Sequence, residues 1–253
     1  MFKLLKYDFY HLRKTSKFIV FPVVIIIFAI LSPLSARYMN ELLELALADS
    51  GIDFAFTDPV VLDSYLQYIG NLYETVIFVV LFVGVGFFIK DKSKGLLPLV
   101  LSKPINKIHY IISKYLSLNI VILISLFIGY LVFSYYTYFI FDEIDMLGML
   151  ITTLLFFVYV LYILSISLFS ATYFKSYLAA VSITFGIYIL TSMLTFFKVS
   201  IFNYLPGVIG NSSINILIGE YEVGDVLLNI GVTILISFVF VFFSISKFRK
   251  QDI

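Results

Sequence analysis

Chemistry would show first in the ionisable and nucleophilic residues, and this chain of 253 residues offers few arrangements of them. It contains no cysteine, which removes thiolate metal sites, cysteine nucleophiles and disulfides by inventory. Its two histidines, His11 and His109, stand alone beside basic segments, with no H-E-x-x-H pairing and no adjacent nucleophile, so neither metal-assisted hydrolysis nor acid–base catalysis is expected. No G-x-x-x-x-G-K-[ST] sequence occurs, so the chain has no loop of the usual kind to cradle nucleotide phosphates. Gly84 and Gly86 lack the third glycine of a dinucleotide fingerprint and lie in an apolar run, where close helix packing is the better reading. Two features remain. One is Glu74, an acid inside an apolar run. The other is the stretch 89–107, in which lysines, leucines and prolines are interleaved.

The elements that must position these residues are set by composition. Hydrophobic residues make up 61% of the chain and charged residues 13%, against about 45–50% and about 25% in soluble domains. A hydrocarbon core of roughly 30 Å needs about 20 apolar residues in a helix. Six runs of that kind appear, at about 18–35, 68–89, 115–141, 146–174, 177–197 and 226–246. They are continuous and do not alternate, so the expected fold is all-α with six transmembrane helices in one transmembrane domain spanning 1–253, and not a barrel. The first run lacks a small-residue cleavage site and is expected to stay as a span.

Fifteen of the 17 basic residues then fall on one face, the exceptions being Arg37 and Lys198, and that face is read as cytoplasmic, with both termini there. The acidic residues sort the other way: of 16, only Asp8, Asp91 and Asp252 lie inside. The expected location is the cell membrane. The near-neutral balance gives no reason to expect a nucleic acid partner. Abundant Ile, Phe, Tyr and Lys with no Trp suits an AT-rich bacterial genome.

Outside the spans, Phe2, Leu5, Phe9 and Leu12 form one helical stripe in residues 1–17, as in a helix lying in the inner interface. The outer loop 36–64 carries six acids and reads as a short helix followed by a Pro59 break. Residues 198–225 are too apolar for a free loop and are interrupted by Pro206, Gly207 and Gly210, so a re-entrant pair of short helices is expected. Tyr130, Tyr135, Tyr136 and Tyr138 read as an outer aromatic belt.

The stretch 89–107 lies between spans two and three. Leu96, Leu97, Leu99, Val100 and Leu101 form an apolar cluster that topology does not require, and a short helix presented to another protein explains it economically. Pro104 and Ile105 turn the chain out of that helix, and Asn106 is placed to cap the third span.

In its residue order this stretch resembles the type-two exporter superfamily of ATP-binding-cassette (ABC) permeases, whose second cytoplasmic segment has an acid, a glycine four later, leucines, then Pro-Ile-Ser-Arg and a later Lys. Asp91, Gly95, Leu97, Leu101, Ser102, Pro104, Ile105 and Lys114 follow that order. Asn106 stands for the usual Ser, Lys107 for Arg and Leu96 for Thr. The resemblance implies that Asp91, Gly95, Leu97, Leu101, Pro104, Ile105, Asn106 and Lys107 belong to or flank a coupling helix that docks on a separate ATPase subunit. It further implies that ATP and magnesium are bound by that partner and that this chain holds no cofactor or metal. A second permease chain, identical or homologous, would complete the pathway in the bilayer. Small bacterial permeases of this design resemble exporters of antimicrobial or amphipathic peptides, such as the phenol-soluble modulin exporters.

The alternative is an ion-coupled secondary transporter, for which Glu74 is the one candidate pore or gate residue. Glu74 is 16 residues from Lys90. That spacing sets it roughly 24 Å outward in a core about 30 Å thick, near the outer interface.

Overall fold

The computed structural model describes residues 1–15, 17–41, 44, 58–97, 106–197 and 199–250, and these are predominantly helical. The elements are α1 (Phe2–Lys14), α2 (Lys17–Arg37), α3 (Val61–Ser93), α4 (Lys107–Phe141), α5 (Met146–Tyr173), α6 (Tyr177–Leu194), α7 (Ile209–Ile218) and α8 (Val223–Arg249). Two 3-10 turns, Ser200–Tyr204 and Pro206–Val208, precede α7. Six of these helices, α2 to α6 and α8, are long and apolar enough to cross a membrane.

Two helices outrun their apolar segments. α3 begins seven residues before the run 68–89, because Asp63, Ser64 and Gln67 interrupt hydropathy without interrupting helix. The Asp63 carboxylate accepts from the Val60 amide at 2.9 Å and supports that early start. α4 begins at Lys107, eight residues before the run 115–141, because Asn106 Oδ1 accepts from the Ile108 amide at 2.9 Å.

α5 sits at the centre, packed against α3, α4, α6, α7 and α8. Its apolar window is 67% buried, whereas those of α6 and α8 are 11% and 17% buried. Such outward apolar faces are what a hydrocarbon solvent requires. Close approach of α3 to α5 depends on Gly84, where a Cβ would stand 2.7 Å from Leu164 Cδ2. Buried hydroxyls within α4 and α5, among them Ser117, Ser125, Ser165 and Ser167, donate to carbonyls three or four residues back. They leave little polar capacity facing the apolar core.

The apolar stretch before α8 is held against the bundle. α7 packs on α5 and α3, and Asn229 Nδ2 donates to Leu205 O at 2.9 Å. Gly219, at φ 77°, ends α7 with Glu220 N donating to Asn215 O at 2.9 Å.

Candidate functional site

The C-terminal end of α3 leads into the stretch 89–107, and its termination is specified locally. Gly95 adopts φ 66°, the left-handed region that a side chain disfavours. Leu96 N donates to Asp91 O at 2.9 Å and Gly95 N to Lys92 O at 3.2 Å. These two bonds form a Schellman stop, and they explain why a glycine stands four residues after Asp91.

Just before that stop, three successive residues reach three different elements, as side chains about 100° apart on a helix can. Lys90 Nζ donates to His11 Nε2 of α1 at 3.2 Å; an ammonium can only donate, so the ring nitrogen accepts. Asp91 accepts from Tyr110 Oη of α4 at 2.5 Å and pairs with Lys114 Nζ of α4. Lys92 Nζ donates to Thr172 O at 2.5 Å and to Ala171 O at 3.4 Å, capping the carbonyl end of α5.

The Asp91–Lys114 pair is screened from water, its side chains being 16% and 7% exposed. The Lys114 ammonium lies 4.9 Å from the Tyr110 ring centroid and 5.4 Å from that of Phe87, so aromatic faces surround the cation as well. Tyr110 in turn stacks on Phe248 of α8, with centroids 5.8 Å apart.

α1 docks onto the same cluster. Asp8 is 3% exposed and accepts from Ser113 Oγ at 2.5 Å. Burial raises its pKa to about 6, against the lowering effects of the Ser113 bond and Lys114, while Asp91 adds to the rise. Burial and the neighbouring Lys90 lower the pKa of His11, which favours the neutral ring that accepts from Lys90.

Leu96 is 40% exposed, whereas Leu97 is 7% exposed and packs inward. The expected presentation of the leucines as one outward cluster is therefore corrected for Leu97. It lines a small cavity with Phe88, Ile111, Leu168 and Phe248, because the Schellman stop turns the chain back under the bundle. Leu101, Pro104 and Ile105 lie outside the described residues. Asn106 and Lys107 open α4.

Glu74 stands elsewhere, in a π-helical turn, Leu72–Val76, that interrupts α3. Its side chain is exposed and lines an outer cleft of about 370 Å³ with Tyr73, Tyr159, Tyr188, Ser192 and Asn211.

The family described as ABC-2 family transporter protein matches residues 2–206, which include Asp8, the Lys90–Lys92 cluster, Lys114 and Glu74. The chain belongs to that family. The chain is also 25% identical over 258 residues to the uncharacterized transmembrane protein YxlG of Bacillus subtilis (strain 168), covering 100% of this chain and 98% of that protein.

As an ABC-2 membrane protein the chain is a transport subunit and not itself catalytic. The family gives no support to the secondary-transporter alternative. The residue order points to Asp91 and Lys114 in this segment but not to Tyr110, which donates to Asp91, nor to Asp8, Ser113, Lys90 and Lys92, which tie the same cluster to α1, α4 and α5. One signal was available: Asp8 and Asp91 are two of the three acids that stand on the basic face. These two acids that break the charge sorting are held by Ser113 and by Lys114 and Tyr110 of α4.

Proposed function

We propose that the chain is the permease subunit of an ATP-driven exporter, and that 91–107 is the coupling element on which a separate ATPase docks. The observation that carries this reading is the triple anchorage of Lys90, Asp91 and Lys92 to α1, α4 and α5. A force on the segment beyond Gly95 would reach three elements at once, which a loop serving only topology has no need to do. Leu96 offers apolar contact outward while Leu97 anchors the segment inward.

In this reading Gly95 sets the exit angle of the segment, Leu101, Pro104 and Ile105 shape its docking face, and Asn106 and Lys107 restart the helix beyond it. ATP and magnesium are held by the partner, and a second permease chain, identical or homologous, faces this one across the pathway. The single permease domain sits in the cell membrane with both termini in the cytoplasm, which the charge sorting supports. The apolar stretch before α8 serves as a re-entrant element at the outer leaflet. The cargo class is amphipathic peptides, antimicrobial ones among them.

The test is gentle solubilisation of the tagged chain from its host with identification of what co-purifies. A stoichiometric P-loop ATPase is expected; its repeated absence overturns the reading. Replacing Pro104 and Ile105 with Asp should leave membrane insertion intact and abolish ATPase docking or uncouple hydrolysis from transport. Wild-type docking and transport in that variant would remove 91–107 from the coupling role.

A further inference from the structure

The outer cleft places one carboxylate among phenol rings near the outer interface. Glu74 lies 16 residues along α3 from Lys90, which is roughly 24 Å at the helical rise and within a core about 30 Å thick. A carboxylate at the edge of the hydrocarbon region is only partly hydrated, and a cation beside it restores the missing interaction. Among the described residues Glu74 makes no ion pair.

The backbone there is shaped to aim it. The π turn Leu72–Val76 carries Glu74, and such turns widen a helix and recur at functional sites. Tyr73, beside it, faces Tyr159 with centroids 5.4 Å apart and ties α3 to α7 through Ser213 Oγ at 3.1 Å. The far wall comes from the Pro- and Gly-broken stretch. A Cβ at Gly207 would stand 3.0 to 3.3 Å from Thr191, Ser192 and Thr195, so a side chain there would crowd α6. A Cβ at Gly210 would meet the Tyr73 ring at 3.5 Å.

We propose that this cleft is a cation subsite of the export path, taking a Lys or Arg side chain of an amphipathic peptide. The inference rests on the exporter reading and sharpens its cargo. Glu74 supplies the counter-charge, and Tyr73, Tyr159 and Tyr188 line the cleft with phenol rings, a surrounding that suits an organic cation. A volume of about 370 Å³ holds side chains, not a whole peptide, so the rest of the helix would lie along the apolar surface outside. A bare metal ion fits poorly, since one carboxylate and phenols make a weak oxygen cage. A zwitterionic aminolipid would bring a phosphate toward Glu74, with no basic residue among the described residues that line the cleft to receive it.

The experiment measures binding of a fluorescent amphipathic helical peptide, with lysines on its polar face, to the full chain in nanodiscs, with its glutamate counterpart as control. The lysine peptide should bind the wild type, and Glu74→Gln should weaken it about tenfold, with Glu74→Asp much closer to wild type. Glu74→Lys should reverse the preference toward the glutamate peptide, a result a misfolded protein cannot give. Equal affinity in wild type and Glu74→Gln overturns the proposal. So does loss of peptide binding whenever phosphatidylethanolamine is added to phosphatidylglycerol discs, which would make the lipid the occupant. ATPase co-purification, read on the same preparations, separates the failures. If the ATPase is retained while binding ignores Glu74, only the subsite falls. If the wild type retains no ATPase, the exporter reading falls.

Discussion

The two ends of α3 solve opposite problems. At the inner end, Lys90, Asp91 and Lys92 each have a partner on another element, and the one ion pair among the described residues is buried there. At the outer end, Glu74 is exposed in a π turn facing a cleft, with no ion pair among the described residues. A satisfied polar cluster rigidifies, because any displacement leaves a buried charge unpaired. A carboxylate left open can accept something from outside. In the function proposed above, the satisfied end is the one suited to transmit motion and the open end the one suited to meet cargo.

The largest effect should come from breaking the inner end. Asp91→Ala leaves Lys114 buried without its counter-charge and should destabilise the bundle by about 3–5 kcal/mol, read as a fall in thermal midpoint in detergent. Asp91→Ala combined with Lys114→Met should recover most of that loss, since the stranded charge is then gone. If the double variant is as unstable as the single one, the pair is not what holds α3 to α4.

A pH profile isolates the contact between α1 and this cluster. The folded pKa of Asp8, at about 6, lies above its ordinary 3.8. The charged form is therefore disfavoured in the docked state, and the penalty is present above pH 6 and vanishes as pH falls to 4. Asp8→Asn removes it. The variant should dock α1 more tightly than wild type by up to about 3 kcal/mol at pH 7, the gap closing toward pH 4, as measured by hydrogen exchange of the α1 amides. The opposing titration of His11 is common to both proteins and cancels in the difference.

Packing gives the next test. Gly84→Ala forces a Cβ against Leu164 and should cost about 1–3 kcal/mol. Gly186→Ala in α6 meets nothing within 4 Å, and should instead stabilise by about 0.5–1 kcal/mol through helix propensity. Thermal midpoints of the two variants moving in the same direction would contradict the packing assigned to α3 and α5.

These contrasts also mark what the sequence could show. The six apolar runs were legible because a span needs a continuous stretch that few other structures use. The early starts of α3 and α4 were not visible in hydropathy, because Asp63, Gln67, Lys107, His109 and Lys114 are polar yet helical. The position of Gly95 followed from the resemblance, but its reason, a positive φ closing a Schellman stop, needed coordinates. The bond from Ser113 to Asp8 joins residues 105 apart in sequence and leaves no periodic trace. The π turn at Glu74 is equally silent, since nothing in Leu72–Val76 departs from an ordinary helical composition.

The smallest effect compares two helix caps. Asn106 Oδ1 accepts from Ile108 N at the start of α4, and Asp145 Oδ1 accepts from Gly148 N at the start of α5, both at 2.9 Å. Alanine at either position removes one bond to an otherwise orphaned amide and should cost about 1 kcal/mol. Their stability losses should therefore match. Their functional consequences should not, because Asn106 begins the helix that receives the segment 91–107, whereas Asp145 opens a helix at the opposite end of the bundle. Asn106→Ala should lower the transport achieved per ATP hydrolysed in a reconstituted system, and Asp145→Ala should leave that ratio unchanged. Equal ratios in both variants would mean that the entry angle of α4 plays no part in coupling, and the contrast between the ends of α3 would then rest on Lys90, Asp91 and Lys92 alone.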